Sequence, residues 1–169
     1  MITLETARLV ALLAATLAAG LVSGLFYGFA CAVMLALRGS DDRTFIEVMQ
    51  RINVSILNGW FVLGYIGSFL FTAAALGLQL VGDGPRGPVW PTGGALVVYL
   101  VAMSVTNRVN IPLNNTLQAA GAPAGIAQPA VVREQFEATW ARWNVVRAVL
   151  CTATMGLLCW ALVAHGAAY

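Results

Sequence analysis

Four apolar runs separated by polar segments set the pattern of this chain. The first, residues 9–37, holds 29 residues without a charge, enough for a helix to cross a bilayer with tilt. A second uncharged run covers residues 52–82, and the span within it begins near Leu57. The third opens at Pro91, beside the interfacial candidate Trp90, and runs into the polar stretch 107–115. The fourth follows a helix that restarts at Ala130, carries Arg133, Glu134 and Glu137, and passes through Trp140 into the apolar residues 148–164 without a breaker. The expected spans are therefore 9–37, 57–82, 91–110 and 145–165. Together they predict an all-α protein, a single-domain integral membrane antiparallel four-helix bundle with helical extensions at one membrane face.

The polar segments refine this picture. Asp41-Asp42 can cap a short helix whose apolar residues Phe45, Met49, Ile52 and Ile56 recur at 4, 3 and 4. Glu47 and Arg51 fall at i, i+4 on its polar side, the pattern of a solvated ion pair. Asp83-Gly84-Pro85-Arg86-Gly87-Pro88 is dense in turn formers and predicts a tight link between the second and third spans. Residues 119–129, rich in Ala, Gly and Pro, predict a flexible loop. Gly20, Gly24, Gly28, Ala32 and Ala36 form a small-residue stripe suited to close helix packing within the bundle, with a second copy of the chain as the other partner. Gly64, Ser68 and Thr72 form another. A cleaved signal peptide ending near Ala18-Ala19-Gly20 is the rival to a first span, but its apolar region should run only about 7–15 residues.

Composition confirms the class. Hydrophobic residues make up 60% and charged residues 9% of the 169, against about 25% charged in soluble domains. Membrane lipids are the expected surroundings, and a net charge of +2 is no nucleic-acid footprint. All nine basic residues are arginine. Seven of them, Arg38, Arg43, Arg51, Arg108, Arg133, Arg142 and Arg147, lie in or beside the first and third connections, whereas Arg8 and Arg86 lie on the other side. By the positive-inside rule both termini are expected outside the cytoplasm, in an inner or plasma membrane.

Four antiparallel spans would bring the unusual polar residues to one face. Asn107, Asn110 and Asn114 stand at i, i+3 and i+7, on one helical face, with Pro112 expected to kink the backbone beside them. Asn115 belongs to the same stretch, Asn53 and Asn58 join it from one side, and Trp140, Arg142, Trp143, Asn144 and Arg147 from the other. Amides and guanidinium groups donate hydrogen bonds while indoles offer flat apolar walls, a combination suited to a planar, oxygenated aromatic ligand and to stabilising a phenolate or enolate. The same residues could instead link helices and mark the membrane interface. A carboxylate-bridged metal centre is disfavoured, since no Asp or Glu falls within the four spans and the lone His165 lies toward the opposite face. No metal or other cofactor is expected. A proton-driven pump would need an embedded ionisable group of the kind these spans lack. No phosphate-binding glycine loop, dinucleotide fingerprint or hydrolase serine elbow appears.

The segments Gly24-Leu25-Phe26-Tyr27-Gly28-Phe29, Asp42-Arg43-Thr44-Phe45 with Gln50-Arg51-Ile52-Asn53, Asn110-Ile111-Pro112-Leu113-Asn114, and Trp140-x-Arg142-Trp143-Asn144-x-x-Arg147 resemble the anthrone oxygenase-like family of small integral membrane proteins. The resemblance covers most of the chain, and the last two motifs carry it best. It implies a four-helix membrane protein, some of whose relatives oxidise anthrones to anthraquinones with molecular oxygen, without metal or flavin. By that resemblance Asn110, Asn114, Arg142, Asn144 and Arg147 would orient or stabilise the substrate anion. Trp140 and Trp143 would stack on its rings, and Asn53, Asn58 and Asn107 would line the binding site. Glu47 and Glu137 are the carboxylates that could reach such a site from the connections. The alternative is a non-catalytic membrane module that binds a lipid, a small molecule or a partner protein.

Overall fold

The computed structural model describes residues 3–168. It is all-helical, with no strand among the described residues. Among the described residues, four helices are long and apolar enough to cross a membrane: α1 (Leu4–Arg38), α3 (Gly59–Leu80), α4 (Val89–Ala119) and α5 (Pro129–Gly166). A shorter amphipathic helix, α2 (Asp42–Ser55), lies between the first two. α1 packs chiefly against α3 and α5, and α5 against α4; of the adjacent pairs around the bundle, α3 and α4 touch least. That loose seam is the feature that positions the site.

Local chemistry explains the boundaries. Asp41 caps α2 by accepting from the backbone N–H groups of Arg43 and Thr44, both at 3.1 Å, and Phe45 and Met49 are fully buried as the spacing requires. Glu47 and Arg51 pair at 2.5 Å on the exposed side. The small stripe of α3 packs inward: Ser68 and Thr72 are buried, and a Cβ on Gly64 would stand 3.3 Å from Val22 Cγ2 on α1. The α1 stripe behaves differently from expectation. A Cβ on Gly20 would meet Met155 at 3.5 Å, but Gly24 and Gly28 have nothing within 4 Å, so most of this stripe faces away from the bundle.

Residues expected to form a flexible loop are tied down. Arg43 donates to the carbonyls of Pro123 and Ile126, the latter at 3.1 Å, and Ile126 enters the core beside Leu117 and Phe45. Gln50 Nε2 donates to the Leu117 and Gly121 carbonyls at 2.8 and 3.0 Å, closing the end of α4, where Gly121 takes a positive φ of 83°. Arg133 clamps the other side, reaching Glu137 at 2.7 Å, Asp42 at 3.1 Å and the carbonyls of Leu37, Arg38 and Ser40 at the end of α1. These contacts build the helical extensions into a cap over one end of the bundle.

The polar stretch does not interrupt its helix. α4 runs 31 residues, about 46 Å at about 1.5 Å per residue, against a hydrocarbon core of about 30 Å. Pro112 lacks the N–H that would bond the carbonyl of Arg108 and crowds that carbonyl with its ring. The helix accommodates this by widening into a π turn at Thr106–Asn110, instead of the simple kink that proline alone predicts. A second π turn, Phe29–Val33, lies in α1.

Candidate functional site

A cavity of about 520 Å³ opens at the capped end of the bundle, within the size range of small-molecule sites. Its back wall comes from α1 and α5: Phe26, Phe29, Trp140, Asn144 and Arg147, all buried. α4 contributes Thr106, Asn110, Ile111, Asn114, Asn115 and Gln118, and α3 contributes Phe61, Val62, Tyr65 and Ile66. The end of α2 and the corner after it complete the lining with Asn53, Val54 and Leu57.

Arg147 dominates the electrostatics. It is only 5% exposed, its Nη2 donates to Asn144 Oδ1 at 2.9 Å, and its guanidinium lies 4.2 Å from the Phe26 ring centroid and 5.5 Å from that of Trp140. No ion pair among the described residues includes it. The contrast with Arg8 is instructive. That side chain is equally buried at the far end of the bundle, but it donates to the carbonyls of Leu78, at 2.9 Å, and Val81, where α3 ends. Arg8 is satisfied by a helix C-terminus; Arg147 keeps an Nε–H with no partner.

Other polar atoms around the cavity are also unpartnered: Asn53 Nδ2, both amide atoms of Asn110, and the hydroxyl of Tyr65. Buried polar groups in native proteins are nearly always bonded. Four residues from four helices that line one cavity and carry such atoms point to a ligand that supplies the missing partners. Thr106 lies near Tyr65 but donates its own hydrogen to the Ala102 carbonyl at 3.0 Å, and no well-formed hydrogen bond joins the two hydroxyls.

The remaining candidates divide clearly. Asn114 Oδ1 accepts from Trp140 Nε1 at 2.8 Å, fixing the indole beside Phe29 at 5.7 Å. Asn144 spends its amide on structure, donating to the Phe26 carbonyl at 3.0 Å and accepting from Arg147, so it aims the guanidinium while offering the cavity little of its own. Asn58 lies outside the lining. It caps α3, accepting from the N–H groups of Trp60 at 3.0 Å and Phe61 at 3.1 Å. Asn107 is turned outward, because the π turn advances the helix face by part of a residue and places Thr106 in the lining instead. Arg142 lines a separate surface groove with Arg38, Glu134 and Glu137, and Trp143 is half-buried away from the cavity. Glu47 and Glu137 are held by Arg51 and Arg133 and do not reach the site.

Residue-type reasoning missed Tyr65, Phe26, Phe29 and Thr106. A tyrosine two turns into an apolar helix was a readable signal. Thr106 was not, since its placement depends on the π turn.

A family model described as anthrone oxygenase matches residues 58–157, more than half of the chain. The chain belongs to the anthrone oxygenase family. The matched region of this family member includes Tyr65, Asn110, Asn114, Trp140, Asn144 and Arg147, while Asn53, Phe26 and Phe29 complete the cavity from outside it. No curated protein and no solved structure matches the chain.

Proposed function

We propose that this protein is a membrane oxygenase that oxidises a hydrophobic, anthrone-like aromatic compound with molecular oxygen. The observation that carries the reading is the buried Arg147 guanidinium without a counter-anion, facing a cavity whose Asn110 and Tyr65 donors are also unpartnered. An isolated buried cation is costly, on the order of several kcal/mol. An anionic ligand would offset that cost by pairing with it.

An anthrone supplies such an anion. Loss of one proton from its methylene carbon gives an enolate whose charge is shared between ring carbon and oxygen. In this reading Arg147 Nε–H, Asn110 Nδ2–H and the Tyr65 hydroxyl donate to the enolate oxygen, which favours ionisation. Trp140 and Phe29 wall the rings. The proton leaves to water at the polar rim formed by Asn115 and Gln118. Oxygen then takes an electron from the enolate, the resulting radicals couple at the ring carbon to a peroxide anion, a proton returns to it from water, and the hydroperoxide loses water together with the remaining hydrogen of that carbon. One ketone and one O2 thus become one quinone and one water. No metal or flavin is required by this sequence, because the enolate itself is the reductant.

The test is oxygen uptake by purified protein with anthrone, with quinone and water formed in equal amounts. Absence of uptake with any anthrone or quinol would favour the second reading, a non-catalytic membrane module that binds a lipid or small molecule. That second reading draws on one observation: no Asp, Glu or His lines the cavity to act as a base. Both readings keep the arginine-based orientation, with the termini outside the cytoplasm. A reporter fused after Tyr169 that proved cytoplasmic would reverse it.

A further inference from the structure

The exposure of the cavity walls is unequal, and its pattern indicates a direction. Phe26, Asn110, Asn144 and Arg147 at the back are all at most 5% exposed. At the front, Val62 is 48% exposed, Ile66 39% and Ile111 41%, and all three also line the cavity. Val62 and Ile66 belong to α3 and Ile111 to α4, the adjacent spanning helices with the loosest packing between them. The opening is therefore a gap in the side wall of the bundle.

Its depth follows from helix geometry. Ile66 lies seven residues beyond Gly59, the first residue of α3, or about 10 Å into the span at about 1.5 Å per residue. Trp60, 86% exposed at the start of the same helix, fits the interfacial level where indoles concentrate. Beyond it the mouth turns polar, with Asn115 and Gln118 exposed at its outer end. The mouth thus runs from acyl-chain depth to the headgroup region. Its apolar part has no water to face in a bilayer.

We infer that the cavity is loaded sideways from the bilayer leaflet through the α3–α4 gap, and that its ligand is a membrane-dissolved amphiphile whose oxygenated edge enters first. Val62, Ile66 and Ile111 form the portal. The identity of the ligand as an anthrone-like aromatic rests on the proposed function; the route does not.

The experiment reads the route without any substrate. The full chain carries Trp60→Phe, Trp90→Phe, Trp143→Phe and Trp160→Phe, leaving Trp140 on the cavity wall as the reporter, and is reconstituted in phosphatidylcholine vesicles. Fluorescence is quenched either by phosphatidylcholine brominated along its acyl chains or by acrylamide in the water. Chain bromines are expected to quench Trp140, and Val62→Phe with Ile66→Phe to reduce that quenching severalfold. Val149→Phe, at a residue of α5 that is 62% exposed, should leave it unchanged. Quenching by acrylamide without quenching by brominated chains overturns the inference in the unplugged protein alone, so it does not depend on how the plugged variant folds. Chain quenching that ignores the plugs overturns it as well. A protein that passes this test but never oxidises an anthrone would keep the portal and lose the proposed reaction.

Discussion

Replacing Arg147 with methionine separates a binding cation from a structural one. Arg147→Met keeps much of the side-chain volume beside Phe26 and Trp140 but removes the charge. Two losses follow: the guanidinium contacts with those rings, worth about 2 kcal/mol when desolvated, and the hydrogen bond to Asn144 Oδ1, whose orphaning costs about 1–3 kcal/mol. Against them stands relief of burying a cation without a counter-anion, on the order of several kcal/mol. The terms are of similar size and opposite sign, so the variant should melt close to the unmodified protein or above it. Activity should respond quite differently, because removal of one donor to a developing oxyanion typically lowers turnover about 100- to 1,000-fold. Thermal unfolding in detergent, measured beside oxygen uptake with anthrone, reads both. A variant that lost stability in step with activity would make Arg147 a bundle residue, and one that kept full activity would remove it from the site. Either result refutes the reasoning.

Other residues give sharper contrasts in pairs. Asn58→Ala should cost about 1 kcal/mol through loss of the α3 cap with turnover unchanged, whereas Asn110→Leu, which removes two unpartnered buried amide atoms, should hold or raise the melting temperature and abolish turnover. Arg142→Ala should leave anthrone oxidation intact, since Arg142 lines the separate groove; a large loss would show that the cavity has been drawn in the wrong place. The Asp41 carboxyl is held below its ordinary range by the Thr44 hydroxyl first, then by the N–H groups of Thr44 and Arg43. Its cap therefore stabilises α2 above the ordinary carboxylate value and is lost as pH falls through the lowered one. An acid titration of helix content should show this step, and Asp41→Ala should remove it.

How much of this was legible beforehand depended on whether a position follows from one helix or from several. The spans, the Asp41 cap and the inward stripe of α3 follow from local periodicity, and they were readable. Asn110, Asn114, Trp140 and Arg147 could be singled out as candidates, because amides and arginine beside an apolar span need a reason, and the fold brings all four to one cavity. Asn107 and Thr106 were not, since a regular helix puts Asn107 on the face of Asn110 and only the π turn ahead of Pro112 exchanges them. Arg142 and Trp143 share a motif with Arg147 in the chain yet point elsewhere around α5, a matter of which neighbours surround that helix. Asn58 looked like a ligand residue and is a cap, two roles that the same amide serves equally well. The tethered loop at 119–129 required Arg43 and Gln50 to arrive from α2, a tertiary event that composition does not encode.

The central claim is that this cavity stabilises the anion of a planar aromatic ligand. It is tested most directly by the ionisation of a coloured, non-oxidisable hydroxyanthraquinone bound to the reconstituted protein without oxygen, followed by visible absorption across pH. Binding at Arg147, Asn110 and Tyr65 should lower the ligand's pKa relative to the same dye in empty vesicles, and Arg147→Met should abolish the shift. A bound dye whose pKa is unchanged or raised would contradict the claim.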